Sequence, residues 1–224
     1  MANYKIGYDD PKITPDAGAG VWNSKSKTID IILKKQAIAA ILPQAYFIIG
    51  DDAAKHMAHY LNNSGKDYNI DLEGMLNNVK DEKKNFDNEL VRARRFVETL
   101  PVGTYQITSA KATGGYVLQS ENKNWFFATG GYSFWGKGTA KSYITTDRER
   151  HYELDFEYKF FDRYNWDGGK MVKIFKITVT DEFMGEFHRQ GLAREFNMYG
   201  SIRRIVKWTG KTFGNPTIEN PGGR

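Results

Sequence analysis

The sequence predicts an α+β fold, an N-terminal helical region followed by a curved antiparallel sheet or partial β-barrel with one helix packed against it. Three observations carry this expectation. Residues 51–100 repeat apolar side chains at three- and four-residue spacing, short β-prone runs take over at Gly103, and "HYELDFEYKF" (151–160) alternates strictly between apolar and polar residues.

Residues 1–25, with "DDPKITPDAGAG", are rich in Pro, Gly and Asp and read as an extended lead-in. The helical region, 26–102, holds the most apolar run of the chain, "AIAAILPQAYFIIG" (37–50). That run falls short of the ~20 residues that cross a bilayer. It therefore reads as a buried helix with a kink or break near Pro43, with a membrane-inserting hairpin as the alternative. Asp71 is placed to cap a helix carrying Leu72, Met75, Leu76 and Val79. A longer helix follows, with Phe86, Leu90, Ala93, Phe96, Val97 and Leu100 on one face, and "PVG" ends it.

The β-rich region, 103–211, begins with "TYQIT", "GYVLQS", "NWFFAT" and "SYITT", each bounded by Gly, Asn or Lys. In residues 151–160, Tyr152, Leu154, Phe156, Tyr158 and Phe160 form an apolar row and the charged residues between them a wet one. "MVKIFKITV" is the expected hairpin partner of this strand. "DEFMGEFHRQG" reads as a helix near 181–190 capped by Asp181 and ended by Gly191, "REFNMYGSIRRIVKW" as a further strand, and 212–224 as a flexible tail.

Composition removes several classes of function. The chain has 224 residues and no cysteine, so disulfide scaffolds, cysteine-ligated zinc and cysteine nucleophiles are excluded. The start "MANYKIGYDDPK" lacks a basic segment followed by an apolar one, so export is expected to proceed without a classical signal peptide. Residues 1–100 hold 14 Lys and Arg against 14 Asp and Glu, whereas residues 101–224 hold 18 against 13, so the net charge of +5 lies in the second half. An excess of this sign favours an anionic partner such as a phospholipid, a pyrophosphate or a nucleic acid.

"GYSFWGKGT" (131–139) nearly matches the phosphate loop G-x-x-x-x-G-K-[ST], but Gly138 stands where a hydroxyl is needed and a strand-like run follows where the helix should be. A glycine-rich strand is the plainer reading. His56 and His59 are spaced i, i+3 on a predicted helix with no acidic partner, and read as surface residues. "FFDRYNWDGGK" (160–170) is the densest polar stretch. Asp162 and Asp167 could share a divalent cation or divide acid and base roles, Tyr164 could donate a hydrogen bond and Lys170 could meet a phosphate. His188, next to Arg189 on the following helix, could present a base to the same loop. Asn, Asp and Gly are also what a polar turn requires, and a plain β-turn is the structural alternative.

On these residues the chain resembles interbacterial toxin domains, of the type VI secretion effector or bacteriocin kind, and within them the colicin M-like toxins. Asp162 and Tyr164 match that family's D-x-Y-D segment. Asn165 stands at its second aspartate, and its downstream Arg or His-Arg falls near Met171 and Val172, where Lys170 is the closest base. The resemblance implies a helix-decorated partial β-barrel that hydrolyses the lipid-linked peptidoglycan precursor with Mg2+. On that reading the chain is an antibacterial toxin acting in the target cell's periplasm or envelope, cytoplasmic in its producer before export, with an immunity protein and a secretion-apparatus carrier as partners. Asp162 and Asp167 bind metal or activate water, Tyr164 orients the leaving group, and Lys170 with Arg189 meets the phosphates. Permeabilisation of membranes through residues 37–49, and binding of a nucleic acid or carbohydrate on the aromatic sheet, are the alternatives.

Overall fold

The alternating strand becomes the centre of an open, curved sheet. The computed structural model describes residues 3–166, 171–174, 177–210 and 216–221. Its elements run β1 (Tyr4–Ile6), α1 (Ile29–Ile49), α2 (Asp51–Leu61), β2 (Tyr68–Asn69), α3 (Leu72–Asn78), α4 (Lys80–Thr99), β3 (Gly103–Ser109), β4 (Ala112–Gly114), α5 (Lys123–Ala128), β5 (Tyr132–Ile144), β6 (Arg150–Tyr164), β7 (Met171–Ile174), β8 (Ile177–Thr180), α6 (Asp181–Arg189), β9 (Phe196–Thr209) and β10 (Thr217–Glu219). The main sheet has the order β1-β3-β5-β6-β9-β10, with β4 also on β5 and β2 on β9. Its ends do not meet, so the sheet is open and no β-barrel forms. It is also mixed, because β2 joins β9 in parallel.

Tyr152, Leu154, Phe156, Tyr158 and Phe160 point from β6 into the core, each at most 2% exposed. Helix α4 lies across them, with Phe86 edge-on to Tyr158 at 5.4 Å and to Phe156 at 6.2 Å between ring centroids. Burying one such ring stabilises the fold by roughly 1.5–3 kcal/mol. The opposite face is wet and paired: Arg203 bridges Asp155, and Lys159 bridges Glu157. Helix α3 starts as expected, with the Asp71 side chain accepting from the Gly74 N–H.

Several local expectations give way. "NWFFAT" is not a strand but the body of α5, started by the Asn122 side chain accepting from the Trp125 N–H at 3.0 Å. "GYVLQS" forms no strand, and β4 ends at Gly114 before it. Strands β7 and β8 pair with each other rather than with β6, whose neighbours are β5 and β9. Thr180, not Asp181, caps α6, its hydroxyl accepting from the Phe183 N–H. Helix α1 runs through Pro43 without interruption, and most of it is uncovered. The glycines of "GYSFWGKGT" serve packing: a Cβ on Gly136 would lie 2.0 Å from the Tyr4 hydroxyl, and one on Gly138 would lie 2.2 Å from the Asp155 carbonyl. Lys137 of the same stretch pairs with Asp10 at 2.8 Å.

Helices α1, α2, α5 and α6 gather beyond one end of the sheet, where β6 finishes at Tyr164 opposite Phe196 of β9. That junction holds the site.

Candidate active site

Strand β6 extends past Phe160, and with it the two-residue period. Asp162 and Tyr164 therefore fall on the inward row that began at Tyr152, and they are only 4% and 6% exposed. The turn alternative fails for both residues, since the chain leaves the strand only at Asn165. A carboxylate in an apolar row is costly unless its oxygens are satisfied. Asp162 Oδ2 accepts from the Gly130 N–H at 2.8 Å and Oδ1 from the Arg163 N–H at 2.7 Å. Gly130 follows α5 directly, so the Asn122 cap and the α5 turn set one of these donors in place.

Asp162 and Tyr164 line a cavity of about 80 Å³ together with Asp181, Arg163, Asn165 and Trp166. A void of ~10–15 Å³ already holds a water, so this one takes several waters or part of a ligand. Ile49, Met57, Phe127 and Val179 supply apolar wall, and Tyr116 and Met171 its rim. Asp181 is 6% exposed in the first turn of α6, where the partial positive charge of the helix start favours a carboxylate. Burial first, and then the negative charge of Asp181, push the Tyr164 hydroxyl well above the ordinary phenol range. It stays protonated and is available as a hydrogen-bond donor. The Tyr164 ring stacks on Phe196 at 5.0 Å and meets Trp166 edge-on at 5.4 Å.

Among the described residues, Arg163 Nε, Asn165 Nδ2 and the Trp166 indole Nε1 are buried without hydrogen-bond partners. All three are donors on residues lining the same cavity. Glu195, at 3% exposure, holds this segment from behind: its carboxylate accepts from the Trp166 N–H at 3.0 Å and the Ala19 N–H at 2.8 Å, and it pairs with Arg163 at 3.4 Å.

The remaining residues expected at the site divide into two groups. Asp167 and Lys170 lie outside the described residues. His188 and Arg189 are described and do not line the cavity. His188 Nε2 donates to the Gly20 carbonyl at 3.1 Å while Nδ1 accepts from the Glu195 N–H at 3.1 Å, so the neutral ring is fully engaged. Burial lowers its pKa against the opposing pull of Glu195. Arg189 binds Glu186 and the Ala19 carbonyl. His56 and His59 bond to separate carbonyls, of Ala128 and Lys66. Asp181 was read from sequence only as a cap, and no feature of "TVTDEF" separates that role from the one it takes here.

No three His, Asp or Glu side chains among the described residues converge on a point that could hold a metal ion. The carboxylates Asp162 and Asp181 on one cavity fit Mg2+ in the mode where water and substrate phosphate fill most of the coordination sphere.

The structural neighbours include colicin M-like bacteriocins. The structure of PaeM, a colicin M-like bacteriocin produced by Pseudomonas aeruginosa, aligns with a TM-score of 0.38 at 17% identity, over 74% of this chain and 54% of that one. Truncated syringacin M from Pseudomonas syringae pv. tomato DC3000 gives 0.35 at 11% identity, over 71% and 59%. Pectocin M2 gives 0.32 at 12% identity, over 80% and 64%. The chain thus spans between about half and two-thirds of the lengths of these proteins. No family model matches the chain, and no curated protein sequence matches it.

Proposed function

We propose that the chain is the catalytic domain of an antibacterial toxin that hydrolyses a lipid-linked pyrophosphate in the envelope of a target cell. The cavity at the end of β6 carries this reading. Two buried carboxylates, a phenol kept protonated and three unsatisfied buried donors belong to residues lining one space. Donors without partners suit phosphate oxygens, which accept several hydrogen bonds at once. The D-x-Y resemblance supplies the class of substrate, and Asp162 and Tyr164 are the residues that bear it.

In the reaction, the donors of Asn165 and Trp166 bind and orient the pyrophosphate, and Arg163, held by Glu195, positions the segment that carries them. Asp162, whose oxygens accept backbone N–H groups, and Asp181, which lines the same cavity, would hold Mg2+ when it is bound, and the ion would neutralise phosphate charge. One of these carboxylates takes the proton of a water whose oxygen bonds to phosphorus. The phosphorus–oxygen bond to the leaving group breaks, and Tyr164 donates a hydrogen bond to the departing oxygen. Asp167 and Lys170 extend this set in the proposal as a further metal ligand and a phosphate contact. In the producing cell an immunity protein would cover the mouth, and a secretion-apparatus carrier would deliver the toxin.

The test is direct. A detergent-solubilised polyprenyl pyrophosphate saccharide is incubated with the chain and Mg2+, and products are separated by chromatography. Cleavage is expected, chelation abolishes it, and Asp162→Asn or Asp181→Asn lowers it by about a hundredfold or more when assayed well below the variant's melting temperature. Undiminished turnover by both variants, or no cleavage by the parent chain, would sink the reading.

A further inference from the structure

We propose that the uncovered side of α1, together with the rim of the cavity, seats the protein on an anionic phospholipid bilayer, so that the cavity opens against the membrane surface. The inference rests on the proposed lipid-linked substrate for its meaning in function, and on α1 for its physical basis. Helix α1 has 21 residues, and residues 37–50 contain no charge. Ile31, Ile38, Ala45 and Ile49 pack inward. On the other side of the helix Ile29, Leu33 and Phe47 are 78%, 58% and 92% exposed. With Ala37 and Ala40 they lie on one stripe at helical spacing, and only 17% of the helix's most apolar window is buried. A helix apolar on both sides is ordinarily enclosed by protein or lipid.

Charge selects the lipid. Residues 25–35 carry Lys25, Lys27, Lys34 and Lys35 against Asp30, a local net of +3 at the start of the helix. Lys25 and Lys34 bridge Glu186 and Asp30, which leaves Lys27 and Lys35 as the excess positive charge. Basic residues beside an uncharged apolar stripe match the requirements of a helix lying in the interface of an anionic bilayer. At the other end of the helix Ile49 forms part of the cavity wall, and the exposed rim residues Tyr116 and Met171 are apolar too. In the proposal the stripe and this exposed apolar rim meet the same bilayer, which sets the opening at the depth where a lipid-linked headgroup resides.

The full chain should sediment with vesicles of phosphatidylethanolamine and phosphatidylglycerol, and much less with phosphatidylcholine alone. Phe47→Glu and Leu33→Glu change exposed side chains and keep the melting temperature. Each should weaken vesicle binding by about tenfold or more while leaving turnover of the detergent-solubilised substrate unchanged. Equal sedimentation of parent and variants overturns the proposal. So does a parent chain that ignores vesicles and forms a dimer in light scattering that Phe47→Glu dissociates, because a second copy then covers the stripe. Vesicle binding without cleavage of any substrate upholds the docking and removes the catalytic reading, and cleavage in detergent without vesicle binding does the reverse.

Discussion

Asp162 sits where the apolar row of β6 calls for a hydrophobic side chain, and it is tolerated because both of its oxygens accept backbone N–H groups. Its position was legible in the sequence: counting in twos from Tyr152 reaches Phe160, Asp162 and Tyr164, so a carboxylate on the buried face could be read without coordinates. The Arg163 N–H is its neighbour in the chain, but the Gly130 donor was not legible, since it comes from an element distant along the chain, and neither was Asp181 on the same cavity. The same two bonds set a stability cost. Asparagine offers one acceptor and turns an N–H toward the other donor, so Asp162→Asn should lose about 1–3 kcal/mol, the cost of leaving a buried group unsatisfied. Urea unfolding of parent and variant measures it. An unchanged midpoint would mean that Asp162 is not engaged as described.

Helix α5 shows where reading by element falls short. Tryptophan and two phenylalanines in "NWFFAT" favour a strand by propensity, yet six residues of propensity weigh little against a satisfied cap. Asn122 provides that cap, and the nascent turn carries Gly130 to Asp162. The wrong pairing expected for β7 and β8 has a similar cause, because alternation identifies a strand without naming its neighbour. The two long elements, α4 and β6, were legible because each repeats its period over many residues. Asn122→Ala should cost about 0.5–2 kcal/mol, visible as a lower melting temperature. Because α5 positions the Gly130 donor, the variant should also lose the proposed hydrolysis under conditions where it remains folded. Loss of stability with full activity would separate the cap from the site.

Across the whole molecule, α4 is fastened to the sheet by acids as well as by rings. Glu82 and Glu89 are both 0% exposed. Glu82 accepts from the Tyr158 hydroxyl at 2.9 Å and from Asn85 at 3.3 Å, whereas Glu89 meets Arg92 at 2.9 Å and the Tyr4 hydroxyl at 3.1 Å. Burial raises both pKa values, and the hydrogen bonds only partly oppose it. A carboxyl whose folded pKa lies above its unfolded one binds more protons in the native state, so its contribution to stability is complete below the ordinary value of 4.5 and is lost as pH rises through the raised one. Glu82, whose described partners are uncharged, bears the larger part of this loss. Glu82→Gln keeps an acceptor for Tyr158 and removes the charge. It should match the parent below pH 4.5 and melt higher at neutral pH, each kcal/mol of relief appearing as about 2–4 °C in a chain of this size. Calorimetry of both proteins between acid and neutral pH tests this: a variant that melts lower throughout would show that the ionised Glu82 stabilises the contact between helix and sheet.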